Sequence, residues 1–144
     1  MRLSSTFPTL TKIFFANALM LALTAATSAR AVEFPNPSVN CYLDWSVILE
    51  EGRRAVSQLG LTCDSGTPVL QGSKIYSSYG GVMAFICNWG GGSQACTYQE
   101  MNEAICLINE KCGEDVAGWV QINDWAKQYG RTTTLDNPCP NLNG

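Results

Sequence analysis

VMAFICNWGGGSQACTYQEMNEAICLINEKCG, residues 82–113, holds a strand, a loop and a helix in one run. Val82 to Trp89 is apolar on both faces except at its end, the pattern of a strand buried inside a sheet. Thr97 followed three residues later by Glu100 forms a capping box, in which each side chain satisfies a backbone N–H at the start of a helix. Met101, Ala104, Ile105, Ile108 and Cys112 then recur on one helical face, and Gly113 is placed to end the helix. Cys106 points off that face, so Cys106 and Cys112 cannot both look into the core. Between strand and helix lie Gly90, Gly91 and Gly92, bounded by Cys87 and Cys96. A glycine-rich loop before a helix can cradle a phosphate, but a P-loop needs a lysine and a hydroxyl behind its last glycine. Here Ser93 and Gln94 follow, the next lysine is Lys111, and the GxGxxG spacing is absent. The loop reads as architecture: its glycines permit a sharp strand-to-helix reversal.

Working upstream, SKIYSSYGGVMAFICNW reads as two strands around Tyr79-Gly80-Gly81, and CDSGTP (residues 63–68) is a cluster of turn formers. In SVILEEGRRAVSQLG, Ile48, Leu49, Ala55, Val56 and Leu59 share one helical face, with Glu50, Glu51, Arg53 and Arg54 opposite. Glu50 and Arg54 are spaced for an i,i+4 ion pair, and Gly60 is expected to cap the end. NPSVNCYLDW (residues 36–45) reads as irregular, because Pro35 and Pro37 oppose a helix. Downstream, Ala117–Ile122 fits a short strand, Asn123 a cap for a brief helix DWAKQY ended by Gly130, and RTTTLDNPCPNLNG an extended tail stapled by Cys139. The order implies an α+β class: one small disulfide-stapled domain, an antiparallel sheet with two main helices.

The cellular address comes from the N-terminus. Arg2 and Lys12 precede the uncharged run Ile13–Ala26, which is followed by small residues. This is the layout of a secretory signal peptide; it is shorter than the roughly 20 apolar residues of a membrane span. Cleavage after Ala31 leaves residues 32–144 as a cysteine-rich domain. The leader carries three of the nine basic residues and none of the twelve acidic ones, so the mature charge is −6. An acidic chain is poorly suited to nucleic acid or an anionic membrane, and neither is expected as a partner. Cys41, Cys63, Cys87, Cys96, Cys106, Cys112 and Cys139 all lie in the mature part and read as a disulfide framework. Their pairing stays open, and the odd cysteine is either free, giving a monomer, or bridges a dimer.

Histidine is absent, which removes Ser-His-Asp and Cys-His nucleophile systems and His-based zinc sites. There is no CxxC pair either, so neither metal nor cofactor is expected. Glu100 and Glu103 on one helix face, with Glu114 and Asp115 behind it, are the carboxylates open to a glycosidase mechanism. First-turn carboxylates more commonly complement the helix dipole, and a non-enzymatic protein is expected. Four tryptophans (Trp45, Trp89, Trp119, Trp125) suit either a core or a surface that stacks on sugar rings such as chitin. A recognition surface is expected around Gly90–Gln94 and Trp119–Arg131, with Trp89, Gln94, Trp119, Trp125 and Arg131 as its residues.

The run GVMAFICNW, a short cysteine-bearing loop, TYQEMNEAICLINEKCG and AGWVQINDWAKQYGR resembles the small secreted cysteine-rich proteins of plant-pathogenic ascomycetes. It looks in particular like avirulence effectors of the Leptosphaeria type, best over Val82–Arg131. The resemblance implies a virulence protein delivered to the host apoplast, or taken up into host cells, that binds a host plant protein. It further implies detection by a matching resistance protein in some host genotypes. It transfers no binding residue to this chain, and the seventh cysteine departs from the fully paired pattern. A weaker likeness to small fungal killer toxins carries the alternative: a secreted antimicrobial toxin acting on competing microbes.

Overall fold

The computed structural model describes residues 31–142. The signal-peptide assignment lies outside them, save for its last residue, Ala31. The chain forms β1 (Ser38–Ser46), α1 (Leu49–Asp64), β2 (Ser73–Tyr79), β3 (Val82–Asn88), α2 (Tyr98–Cys112), β4 (Val116–Ile122) and β5 (Lys127–Thr133). The five strands make one antiparallel sheet in the order β1-β4-β5-β3-β2, with α1 and α2 on the same face. The expected α+β architecture is the one found.

Each element follows from local chemistry. All seven residues of β3 are buried, because α1 covers one face and the C-terminal tail reaches the other. Gly80 has φ 58°, the left-handed backbone a two-residue hairpin turn requires, and the next N–H, that of Gly81, donates to the Glu51 carboxylate on α1 at 2.8 Å. Both halves of the Thr97–Glu100 capping box form, and Gly113 ends α2 at φ 106°. The core interleaves Ala55, Val56 and Leu59 of α1, Met101, Ala104 and Ile108 of α2, and Ala84, Ile86, Val120, Ile122 and Tyr129 from the sheet.

Three sequence expectations are corrected. Residues 36–45 are largely strand: β1 is an edge, and its prolines sit just ahead of its first residue, where the ladder needs no N–H from them. Gly60 does not cap α1, which runs on to Asp64. A Cβ at Gly60 would lie 2.2 Å from the Tyr98 ring, so this glycine serves a close approach between α1 and the start of α2. The helix expected over Asp124–Tyr129 is a 3-10 turn, Asn123–Trp125, followed by β5. Ala126, at φ 49°, turns the chain back, and Lys127–Thr133 enters the middle of the sheet between β4 and β3.

That central strand imposes a tight constraint. A Cβ at Gly130 would stand 2.5 Å from the Phe85 ring and 2.6 Å from the Gly118 carbonyl oxygen. Gly130→Ala is expected to cost about 2–3 kcal/mol or more through overpacking, because one of the two obstacles is backbone. A urea titration checks this; a midpoint within error of the parent would refute the close packing.

Cys41 bonds Cys112, Cys63 bonds Cys96, and Cys87 bonds Cys139. β1 is thereby tied to α2, the end of α1 to the approach of α2, and the tail to β3. Cys106 is the free, exposed seventh. Such a framework fits an oxidising compartment.

Candidate recognition surface

The glycine loop is organised from within by one buried amide. Asn88, fully buried at the end of β3, donates through Nδ2 to the Val69 and Gly92 carbonyls, each at 2.8 Å. Its Oδ1 accepts from the Gly90 N–H at 2.8 Å and from Gln94 Nε2 at 3.0 Å. Gln94 Nε2 also donates to the Trp125 carbonyl at 2.7 Å, and the Gln94 backbone bridges Val69. The loop is a fixed turn, and the amide of Gln94 is spent inside the protein.

The expected surface residues divide. Arg131 is 3% exposed beneath the helices, where Nε donates to Val116 O at 3.0 Å and Nη2 to Gly113 O at 2.9 Å. It is therefore withdrawn from any outer surface: the guanidinium serves the orphan carbonyl at the end of α2. Trp125 is half-buried, edge-on to Phe34 with centroids 5.4 Å apart. Trp89 packs half-buried against the Cys87–Cys139 region with Leu142. Trp119 lies on the sheet face opposite the helices, where Tyr42 meets it at 4.6 Å and Trp45 stacks on Tyr42 at 5.2 Å.

Tyr42 and Trp45 were missed because residues 36–45 read as irregular. The signal available was alternation over Val39–Asp44, interrupted where the β1–β4 register shifts between Cys41 and Ser46. The Tyr42 hydroxyl donates to Asp136, which also accepts from Thr132 Oγ1 at 3.1 Å, so the tail is pinned beside the aromatic group. Leu43 and Leu135, each chain-adjacent to one of these residues, are 87% and 93% exposed.

No family model, curated protein or solved structure matches the chain.

The carboxylates weighed for hydrolysis are otherwise engaged or dispersed. Glu100 closes the capping box and accepts from the Tyr129 hydroxyl at 2.8 Å, with Lys127 Nζ 3.7 Å away. Lys127 also donates to the Ala95 carbonyl, and burial lowers its pKa against the opposing pull of Glu100. Glu114 and Asp115 are exposed on the turn after α2. Among the described residues there is no cluster of His, Cys, Asp and Glu able to hold a metal. Among them, too, no helix is long and apolar enough to cross a membrane.

Burial first, and Asp136 second, push the Tyr42 hydroxyl up to about 12; burial and then Glu100 push Tyr129 up as well. A folded pKa above the unfolded value of about 10 gives stability that is complete below pH 10 and lost as pH rises through the folded value. Titration at 295 nm is expected to show a tyrosinate step near pH 12 that Tyr42→Phe removes. In denaturant with reductant, all five tyrosines should ionise near pH 10. A native Tyr42 that ionises near 10 would contradict its contact with Asp136.

Proposed function

We propose that this protein is a secreted fungal effector that binds a host plant component and is open to detection by a matching resistance protein. The observation that carries this reading is the outward apolar group at one end of the sheet. Trp45 is 37% exposed on top of Tyr42, with Leu43 and Leu135 almost wholly in water. Register places them together: Ser46 pairs with Val116 and Val82 with Thr133, so the end of β1 and the turn after β5 share that end. Apolar surface left in water forgoes roughly 25 cal/mol per Å², and such exposure commonly marks docking. The Cys41–Cys112 disulfide ties β1, which carries Tyr42 and Trp45, to α2, which lowers the ordering cost of binding.

The test is expression in leaves of a panel of host genotypes, with and without a secretion signal, scoring cell death. Death confined to some genotypes is expected, with loss or strong weakening in Trp45→Ala and in Cys112→Ser. Dependence on the signal would give the compartment of recognition. Silence in every line, together with inhibition of microbial growth by the pure protein, would replace this reading by the killer-type toxin. Retention on insoluble chitin would instead favour a sugar-binding module.

A further inference from the structure

The three disulfides are not equally reachable. Cys63 and Cys96 are 2% and 4% exposed and Cys87 and Cys139 1% and 4%, whereas Cys41 and Cys112 are both half-buried. Thiol–disulfide exchange needs a thiolate to reach a sulfur, so access orders the rates at which such bonds open. The reachable bond also holds a weakly supported strand. β1 is an edge with β4 as its one sheet neighbour. Its ladder is regular from Ser38–Gln121 to Cys41–Gly118, then breaks, and resumes at Ser46–Val116. The Cys41–Cys112 bond therefore stands where regular pairing stops, immediately before the span 42–45 that carries Tyr42 and Trp45. The other supports of that span include Tyr42 on Trp119 and Asp136, and the Val47 N–H on Asp115 O at 2.7 Å.

We propose that Cys41–Cys112 is a redox switch: a small-molecule thiol such as glutathione opens it ahead of the other two bonds and frees the span 42–45. A thiolate attacks one sulfur to form a mixed disulfide, and the other cysteine leaves as a thiolate that takes a proton from water. A second small thiol then attacks the mixed disulfide and releases the remaining cysteine. The net change is one protein disulfide reduced to two thiols and two small thiols oxidised to their disulfide, a two-electron exchange. Cys106 cannot replace the second thiol, because it precedes Cys112 by six residues, about 9 Å along the axis of α2, and lies on a different face. The two buried bonds keep α1 tied to the approach of α2 and the tail tied to β3. The consequence rests on the effector reading: the docking end is ordered in an oxidising compartment and lost in the reducing cytosol of a host cell.

The oxidised protein is incubated with reduced glutathione at fixed pH, quenched at intervals with iodoacetamide, and its labelled peptides are mapped. Cys106, free from the start, is the internal reference. Cys41 and Cys112 are expected to label at least about tenfold faster than the other four paired cysteines. Chymotrypsin cleavage after Tyr42, Leu43 or Trp45 should rise with that labelling, and glutathione disulfide should reverse both. Cys41→Ser with Cys112→Ser should be cut there without reductant while keeping the circular dichroism of a folded core. Equal labelling rates, earlier opening of a buried bond, or an uncut span in the opened protein would each overturn the proposal. In leaves, the parent should cause cell death with a secretion signal and not without it; equal death from the cytosol would also overturn it. Silence in every line alongside the expected glutathione result would support the switch and count against the effector reading alone.

Discussion

Reducing the three disulfides is expected to unfold the protein at ambient temperature. The bonds close chain separations of 71, 33 and 52 residues. In the loop-entropy account each such constraint is worth about 4 kcal/mol, and the overlapping loops make the total less than additive. A domain of this size has about 5–15 kcal/mol of stability in all, so losing even two of these contributions removes most of it. Circular dichroism melts with and without a phosphine reductant measure the effect, and superimposable curves would sink it. Single bonds are separable. The double change Cys41→Ser with Cys112→Ser should lower Tm by about 12–20 °C, because β1 is an edge strand with one sheet neighbour and this staple to α2. Since β1 carries Tyr42 and Trp45, the same change should disorder the proposed docking end. Cys106→Ser should leave Tm unchanged, the thiol being exposed and unbonded.

Asn88→Leu is expected to cost about 2–3 kcal/mol, a large effect for one uncharged side chain. The substitution deletes four hydrogen bonds at once and strands the Gly90 N–H and the Gly92 carbonyl in a partly buried turn, while the Val69 carbonyl keeps the Gln94 N–H and Gln94 Nε2 keeps the Trp125 carbonyl. Each orphaned group costs about 1–3 kcal/mol, less where water can reach it. Asn88→Asp separates the two halves of the role. Its oxygens still accept from Gly90 and Gln94, but a carboxylate now faces the Val69 and Gly92 carbonyls. The folded pKa of that carboxyl would rise above its unfolded value, so the variant should be more stable in acid and lose stability as pH increases. Denaturant midpoints at pH 4 and pH 7 check the sign. A Leu variant within 1 kcal/mol of the parent would show that the glycine loop does not depend on this amide.

Asn88 also marks a limit of reading the chain linearly. The glycine run was legible as a reversal rather than a phosphate cradle, because the residues a cradle needs are missing. That its shape is dictated by a side chain before it, working with Val69 and Gln94, was not. The residues of the proposed recognition surface show the same division. Trp119 stood out in the sequence as a candidate for the surface and is half-buried; its partners Tyr42 and Trp45 did not, because an edge strand that is half wet carries no strong apolar period. Arg131, polar and next to a polar tail, read as exposed and is buried.

What the sequence determined by itself was local. The capping box at Thr97, the glycines of the β2–β3 hairpin, the helical face of α2 and the unbroken apolar run of β3 each depend on residues a few positions apart. Two helices and an antiparallel sheet followed from them, and so did the separation of Cys106 from Cys112. The tertiary structure decided which cysteines pair and that Lys127–Thr133 is the central strand. Burying that polar strand requires distant acceptors: Pro138 O for Gln128, Val116 O and Gly113 O for Arg131, Ala95 O for Lys127. Polar side chains enter a core only when such partners are already in place, and those partners exist only once the chain has folded.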